Sequence, residues 1–403
     1  MDATEATPEI SLTTAQSERR LTLLMAVACG LTVANLYYCQ PLLTQMGASL
    51  SAGRSGAYIP TLTQLGAMFG MGLFVPLGDI LERRRLIVSV CCALAAMLLA
   101  CSAAPTFLWL AIASVCLGLT SIVPHLILPF AAQIAQPEHR GRVLGSILSG
   151  LLIGILCART FSGFVGAALG WRAVYISSAA FMLVLASILH RMLPENHPTI
   201  HLTYPKLLGS IVSLLSRLAE LREASLIGGL LFGAFSAFWA TLVFHLGTPP
   251  FHYGSRVAGL FGLVGAAGAA AAPIVGRLAD RRGPRKTVEV SLLITAASYV
   301  VFWFFGNSMF GLLAGVILMD LGVQAGHVSN QARIYTLLPE ARSRLNTVYM
   351  VTYFLGGALG SALGAYGWSL AGWSGVCAVS LLMVGLALAV HFRGSSRSVR
   401  SKV

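Results

Sequence analysis

Few side chains in this 403-residue chain carry charge, and two of them stand deep inside apolar runs: Arg159 and Asp320. Each lies about eleven residues from the end of its run, roughly 16 Å in at the rise of an α-helix. A lone charge at such depth costs several kcal/mol, so each must face protein or water and find a partner. Their matching depth makes an Asp320–Arg159 pair the first chemical expectation. Asp320 is followed by Gln324, His327 and Gln331. Steps of four, three and four residues put all of them on one helical stripe, which must face the protein interior. Protonation of Asp320 would couple proton flow to the movement of a solute, because desolvation disfavours a charged carboxylate. The competing reading is a permanently paired aspartate.

Further polar and aromatic residues join these candidates. His125 and His327 could relay protons, or be satisfied core histidines. Asn35 and Tyr38 share one helical face near the start of the chain, with Gln40 close by. Phe235, Phe238 and Trp239 form one aromatic group, and Asn346, Tyr349 and Tyr353 recur at helical spacing. Amphipathic aromatics suit a cavity that accepts organic molecules, with ordinary packing as the alternative for each. Arg159 hints at an anionic or zwitterionic solute.

These residues need a membrane to position them. The chain is 56% hydrophobic and 10% charged, with a mean hydropathy of +0.79, which excludes a soluble globule. Apolar runs predict twelve membrane helices, spans 1 to 12, at roughly 22–43, 57–80, 86–104, 107–135, 142–168, 172–193, 224–246, 257–279, 287–305, 309–337, 345–368 and 372–392. The expected organisation is a polar tail (1–20), a six-helix half (21–193), a linker (194–222), a second half (223–392) and a short tail (393–403). Within the linker, Leu207, Leu208, Ile211, Leu214, Leu215 and Leu218 have the spacing of an amphipathic helix lying on the membrane surface. No signal peptide is apparent.

The net charge of +13 follows topology and gives no support to nucleic-acid binding. Basic clusters such as Arg83-Arg84-Arg85 and Arg281-Arg282 fall on one side, while the opposite loops offer Arg54, Arg172 and Arg256. That bias predicts cytoplasmic termini and a cytoplasmic linker. The eight cysteines all fall within spans and suggest neither a disulfide framework nor a metal site.

Two segments echo each other: Pro137-Glu138-His139-Arg140-Gly141-Arg142 and Pro339-Glu340-Ala341-Arg342-Ser343-Arg344, at an offset of 339 − 137 = 202 residues. His125 maps onto His327 and Gly170-Trp171 onto Gly372-Trp373, while Asp79 answers Asp280 one residue short of that offset. A period of this length means two similar membrane halves. Glycines recur in spans 2, 5, 8 and 11 at three- and four-residue spacing, which fits helices sliding where the halves meet.

Gly276-Arg277-Leu278-Ala279-Asp280-Arg281-Arg282-Gly283-Pro284-Arg285-Lys286 resembles the signature loop of the major facilitator superfamily, GxLADRxGxRK. Its first-half counterpart, Val75 to Arg85, keeps Asp79, Arg83 and Arg84, while Val75 and Glu82 stand where the family has glycine. Asn35 to Leu42 and Ala158-Arg159-Thr160 resemble an arabinose-efflux-like bacterial branch. The resemblance implies an all-α membrane fold and alternating access. It places the substrate cavity between spans 1, 4, 7 and 10 and the gates in the two loops (Asp79, Arg83, Arg84, Gly276, Asp280, Arg281, Gly283, Arg285). Carboxylates that bind arginine clusters or helix N-termini would supply the physical lock; simple topological anchoring is the alternative.

Export by proton antiport is the activity the resemblance implies, and the chain departs from it at three points. No arginine precedes Gly118 in span 4, Ile155 and not proline follows Gly154, and span 1 lacks an acid. Proton-coupled uptake of an organic or anionic solute is the main rival, and a non-transporting receptor ranks below it. No HExxH, GxSxG or Walker loop is present, so the expectation is a monomeric non-enzyme whose partners are a small-molecule substrate, protons and the lipid bilayer. It needs no cofactor beyond a proton gradient.

Overall fold

The computed structural model describes residues 9–136, 139–195, 204–265, 283–338 and 341–400. These residues form helices α1 (Glu9–Ala34), α2 (Leu43–Ser49), α3 (Ile59–Phe74), α4 (Arg83–Ser102), α5 (Phe107–Thr120), α6 (Val123–Ile134), α7 (Arg140–Leu169), α8 (Trp171–Met192), α9 (Tyr204–Arg217), α10 (Ala219–Leu246), α11 (Ser255–Gly265), α12 (Pro284–Phe305), α13 (Met309–Tyr335) and α14 (Arg342–Arg400). No strand occurs among them. Nine described helical stretches are long and apolar enough to cross a membrane, the last of them being Arg342–Gly394.

Several expected spans are interrupted for local reasons. Span 1 was expected to run to residue 43, yet α1 stops at Ala34. The Asn35 amide donates to Leu31 O at 2.9 Å and Thr32 O at 3.0 Å, which satisfies the last carbonyls, and Pro41 has no N–H with which to continue the helix. A 3₁₀ turn at Gln40–Leu42 leads into α2 instead. Span 4 arrives as α5 and α6, because the Thr120 and Ser121 hydroxyls take the Leu117 carbonyl at 3.0 and 2.8 Å and Pro124 opens the second helix. Spans 11 and 12 form one element bent at Ala371–Gly372, where Gly372 has φ +58°, a conformation that favours glycine. The terminal segments expected as polar tails are entered by helix: α1 begins at Glu9 and α14 runs to Arg400. Glu, Gln and Arg are good helix formers, so loss of apolar character does not end a helix.

The linker helix α9 lies against α10, α14 and the turn Pro76–Asp79. The Tyr204 hydroxyl donates to Leu73 O at 2.8 Å, while Val212 and Leu215 stay exposed on its outer side.

The glycine-rich faces are used differently from the expected sliding contacts between halves. Gly66 and Gly70 of α3 press on the backbone of α5, Gly150 and Gly154 of α7 on Gly30 of α1, and Gly356 and Gly360 of α14 on Gly229 and Gly233 of α10. These contacts lie within a half. They leave no room for a Cβ, so close van der Waals packing holds each half together as a unit. Between the halves, Gly163 of α7 meets Gly259 of α11. α3 runs along α14 with a Thr61–Ser361 hydroxyl contact of 3.1 Å, and Gln64 reaches Ser236 of α10 at 3.3 Å. Near Arg54 and Arg256, the Gln45 amide donates to the Ser255 hydroxyl at 3.0 Å.

Candidate substrate site

Arg159 of α7 is fully enclosed, with 0% of its surface exposed. Its Nε donates to Gln40 Oε1 at 2.7 Å, a charge-assisted bond that fixes the guanidinium plane. The break in span 1 makes this possible, since it turns Gln40 inward under α7. Three rings surround the cation: Trp239 at 3.8 Å, Tyr37 at 4.9 Å and Phe235 at 5.6 Å from the guanidinium carbon to the ring centre. Aromatic faces stabilise a desolvated cation by about 2 kcal/mol or less each. Among the described residues, the outer fork, Nη1 and Nη2, has no hydrogen-bond partner, and neither does the buried Trp239 Nε1.

Asp320 of α13 is equally enclosed, at 1% exposure, and its Oδ2 has no hydrogen-bond partner among the described residues. The two charges interact electrostatically, but they form no direct ion pair, contrary to the first expectation from their depth. Helix α11 adjoins both residues, a contact that the sequence does not reveal. A Cβ on Gly262 would stand 3.0 Å from Arg159 Cβ, and one on Gly265 would stand 2.8 Å from Asp320 Oδ2. Helix α11 thus lies against both groups through positions that carry no side chain. Tyr299 of α12 and Tyr353 of α14 also lie within electrostatic range of Asp320.

The other candidates divide into groups. Trp239, Gln40 and Phe235 belong to the Arg159 cluster. Asn35 spends its amide nitrogen on capping α1 and on Met182 Sδ at 3.7 Å, while its buried Oδ1 has no partner among the described residues. Tyr38 faces away from Arg159: its ring lies 5.7 Å from Phe161 and lines a groove of about 630 Å³ between α1, α7 and α8, which Arg159 does not enter. Its neighbour Tyr37, missed from sequence, is the tyrosine on the guanidinium; the break after Ala34 overrides the helical spacing that singled out Tyr38.

On α13, the Asp320 stripe continues through half-buried Gln324 to His327. His327 Nδ1 lies 3.1 Å from the Tyr349 hydroxyl, and its ring is 4.6 Å from that of Tyr353. Tyr353 stacks on Phe232 at 4.0 Å, so an aromatic wall runs from His327 back to α10. Gln331 donates to Asn346 at 3.2 Å. His125 of α6, the repeat mate of His327, lies within electrostatic range of it, near Arg83 and Ser343.

Of the loop residues, Gly276, Asp280 and Arg281 lie outside the described residues, as does the side chain of Asp79. Arg83 is buried and donates to Gly78 O at 2.7 Å. Arg84 reaches Glu195 at 3.4 Å. Glu82, standing where the family has glycine, caps α4 by accepting from the backbone N–H groups of Arg84 and Arg85 at 2.9 and 2.8 Å. In the second half, Gly283 with φ +89° turns the chain into α12. Arg285 then meets Glu223 of α10 at 3.3 Å and donates to His391 O at 3.0 Å. Glu223 also takes Arg333 of α13 at 3.1 Å. This three-helix ion cluster was not visible in the sequence, because Glu223 stands at the edge of the second half beside the charged linker, far along the chain from both arginines.

Known proteins bear on this geometry. The sequence model of the Major Facilitator Superfamily matches residues 22–270 and 224–403. The chain is 41% identical over 378 residues to the "Uncharacterized transporter YgaY" of Escherichia coli O157:H7, covering 94% of this chain and 96% of that one. It is 35% identical over 360 residues to the "Probable transporter SCO4007" of Streptomyces coelicolor, covering 89% and 83%. Its fold resembles that of the nucleoside transporter NupG, with a TM-score of 0.71 at 14% identity over 93% of this chain and 98% of that one.

Proposed function

Since the chain belongs to the major facilitator superfamily, we propose that it is a secondary transporter that moves a small organic solute across the bacterial inner membrane, using Asp320 as its proton site. The observation that carries this reading is a pair of opposite buried charges, Arg159 on one half and Asp320 on the other, each retaining polar atoms without a partner. Two such charges, both lying against glycine positions of α11, have uncommitted electrostatic capacity at the contact between halves. Neutralising one changes the attraction between the halves, which is the differential interaction that a two-state rocking cycle requires.

In this cycle the glycine-locked halves move as units, with the arginine-rich loops at the cytoplasmic face. The cluster of Glu223, Arg285 and Arg333 ties α10, α12 and α13 together there. Export by antiport and uptake by cotransport use the same site; the sign of the charge that the solute brings decides between them.

The test is flux in proteoliposomes under an imposed pH gradient, with a pH-reporting dye inside. Protein-dependent solute movement accompanied by proton movement is expected, and Asp320→Asn should abolish the proton component while the protein remains folded. Undiminished proton movement in that variant would refute the assignment.

A further inference from the structure

We propose that the solute is an organic carboxylate whose carboxyl group seats on the outer fork of Arg159, with an apolar or aromatic body lying along Phe235 and Trp239. This inference rests on the transport reading above and names its substrate class. Arg159 is already committed on one edge, to Gln40 at 2.7 Å, and on its faces, to three rings. What remains is the Nη1/Nη2 fork, and the nearby indole Nε1 of Trp239 also lacks a partner. All of these are donors. Buried donors call for a ligand that only accepts, and a planar fork matches the two oxygens of a carboxylate. An aromatic lining would cover a hydrophobic body at little polar cost.

The placement of Asp320 fixes the consequence. It lies against Gly265 of α11 and interacts electrostatically with Arg159 of α7, Tyr299 of α12 and Tyr353 of α14, and the arginine is the one cation in that group. An ionised Asp320 repels an incoming carboxylate and competes for the same guanidinium; a protonated Asp320 does neither. Anion and proton therefore favour each other's binding, a coupling that is reciprocal. They cross together, so an inward proton gradient drives uptake, the opposite of the antiport that family resemblance implies.

Binding is measured on the full chain in lipid nanodiscs, by tryptophan fluorescence and thermal shift. Four probes of one skeleton serve: 3-phenylpropionate, its amide, phenethylamine and phenylalanine. The acid should bind at least about tenfold more tightly than the amide. Arg159→Lys, which keeps the charge and loses the fork, should weaken the acid by about tenfold or more and leave the amide unchanged. Trp239→Phe keeps the ring, removes the indole N–H, and should weaken the acid selectively. Asp320→Asn should tighten the acid at alkaline pH. Equal binding of acid and amide, failure of the acid to bind, preference for the amine or amino acid, or an Asp320→Asn variant that binds the acid more weakly would each overturn the proposal. Should a neutral or cationic probe be carried on a pH gradient irrespective of Arg159, transport stands and the carboxylate site falls. Should the acid bind through Arg159 yet move no proton, the carboxylate site stands and the proton-coupled cycle falls.

Discussion

Replacing Gly265 with alanine is a direct way to test whether α11 is what holds the two buried charges in place. The new Cβ would lie 2.8 Å from Asp320 Oδ2, 3.2 Å from Cγ and 3.3 Å from Oδ1. All three distances are tighter than ordinary contact. The carboxylate is enclosed and cannot swing into solvent, so the cost is that of overpacking, about 1–3 kcal/mol. Gly145 and Gly385 provide controls, because a Cβ there meets nothing within 4 Å. Alanine at those sites should be neutral or gain up to about 1 kcal/mol of helix propensity. Unfolding of detergent-solubilised protein should therefore separate Gly265→Ala from Gly385→Ala by about 1–3 kcal/mol, with solute binding reduced in the former alone. The same substitution in an Asp320→Ala background isolates the contact. With the carboxylate gone, the cost of Gly265→Ala should fall by at least about 1 kcal/mol, since neighbours couple and distant sites add. A Gly265→Ala protein as stable as the Gly385→Ala control, or an unchanged cost in the Asp320→Ala background, would show that α11 does not press on Asp320.

Further variants probe the surrounding parts. Gln40→Leu removes the acceptor on Arg159 Nε and should destabilise the protein by about 1.5–3 kcal/mol in thermal or denaturant unfolding, with weaker solute binding; unchanged stability would mean that Gln40 does not hold the guanidinium. Tyr37→Leu should impair transport while Tyr38→Leu leaves it near normal in proteoliposome flux, because only Tyr37 lies on Arg159. Glu223→Gln leaves Arg285 and Arg333 without their shared carboxylate and should cost about 2 kcal/mol, readable as a lower melting midpoint that Arg333→Gln in the same chain partly restores.

The two-half architecture was legible because it is written in long-range, low-resolution signals. Apolar runs of membrane length, the one-sided arginines and the 202-residue echo survive any local irregularity. So were the two buried charges, since a charged residue within an apolar run is conspicuous whatever its neighbours. What could not be read was who stands beside them. Tyr37 rather than Tyr38 reaches Arg159 because the Asn35 amide and Pro41 end α1 early, and a helical wheel drawn through residue 43 singles out Tyr38 instead. Arg159 and Asp320 both lie against α11, whose glycines signal closeness to something without saying to what. Gly66, Gly70, Gly356 and Gly360 gave the same signal and turned out to bind helices within their own halves. Glu223 escaped notice because its two arginines come from helices far along the chain.

The failure of the repeat at the site has a structural cause. At the 202-residue offset, the repeat mate of Asp320 is Gly118, and a Cβ there would run into the backbone at Thr63 and Ala67. No side chain can stand at the equivalent place in the first half, because α5 and α3 are in backbone contact. The repeat mate of Arg159 is Ser361, whose hydroxyl meets Thr61 at 3.1 Å across the seam between α3 and α14. One diagonal of the bundle is thus built from small residues that bring backbones together. The other, through α7, α11 and α13, holds an arginine and an aspartate around a glycine helix. Hydroxyl contacts and backbone packing on the first diagonal change little with protonation. A buried charge on the second changes the energy of the contact by kcal/mol amounts when neutralised. Under the proposed cycle the first diagonal would supply a neutral surface against which the halves move, and the second the interaction that a proton and a solute alter. A mechanism with equivalent sites in both halves would need room at Gly118 that the packing does not leave.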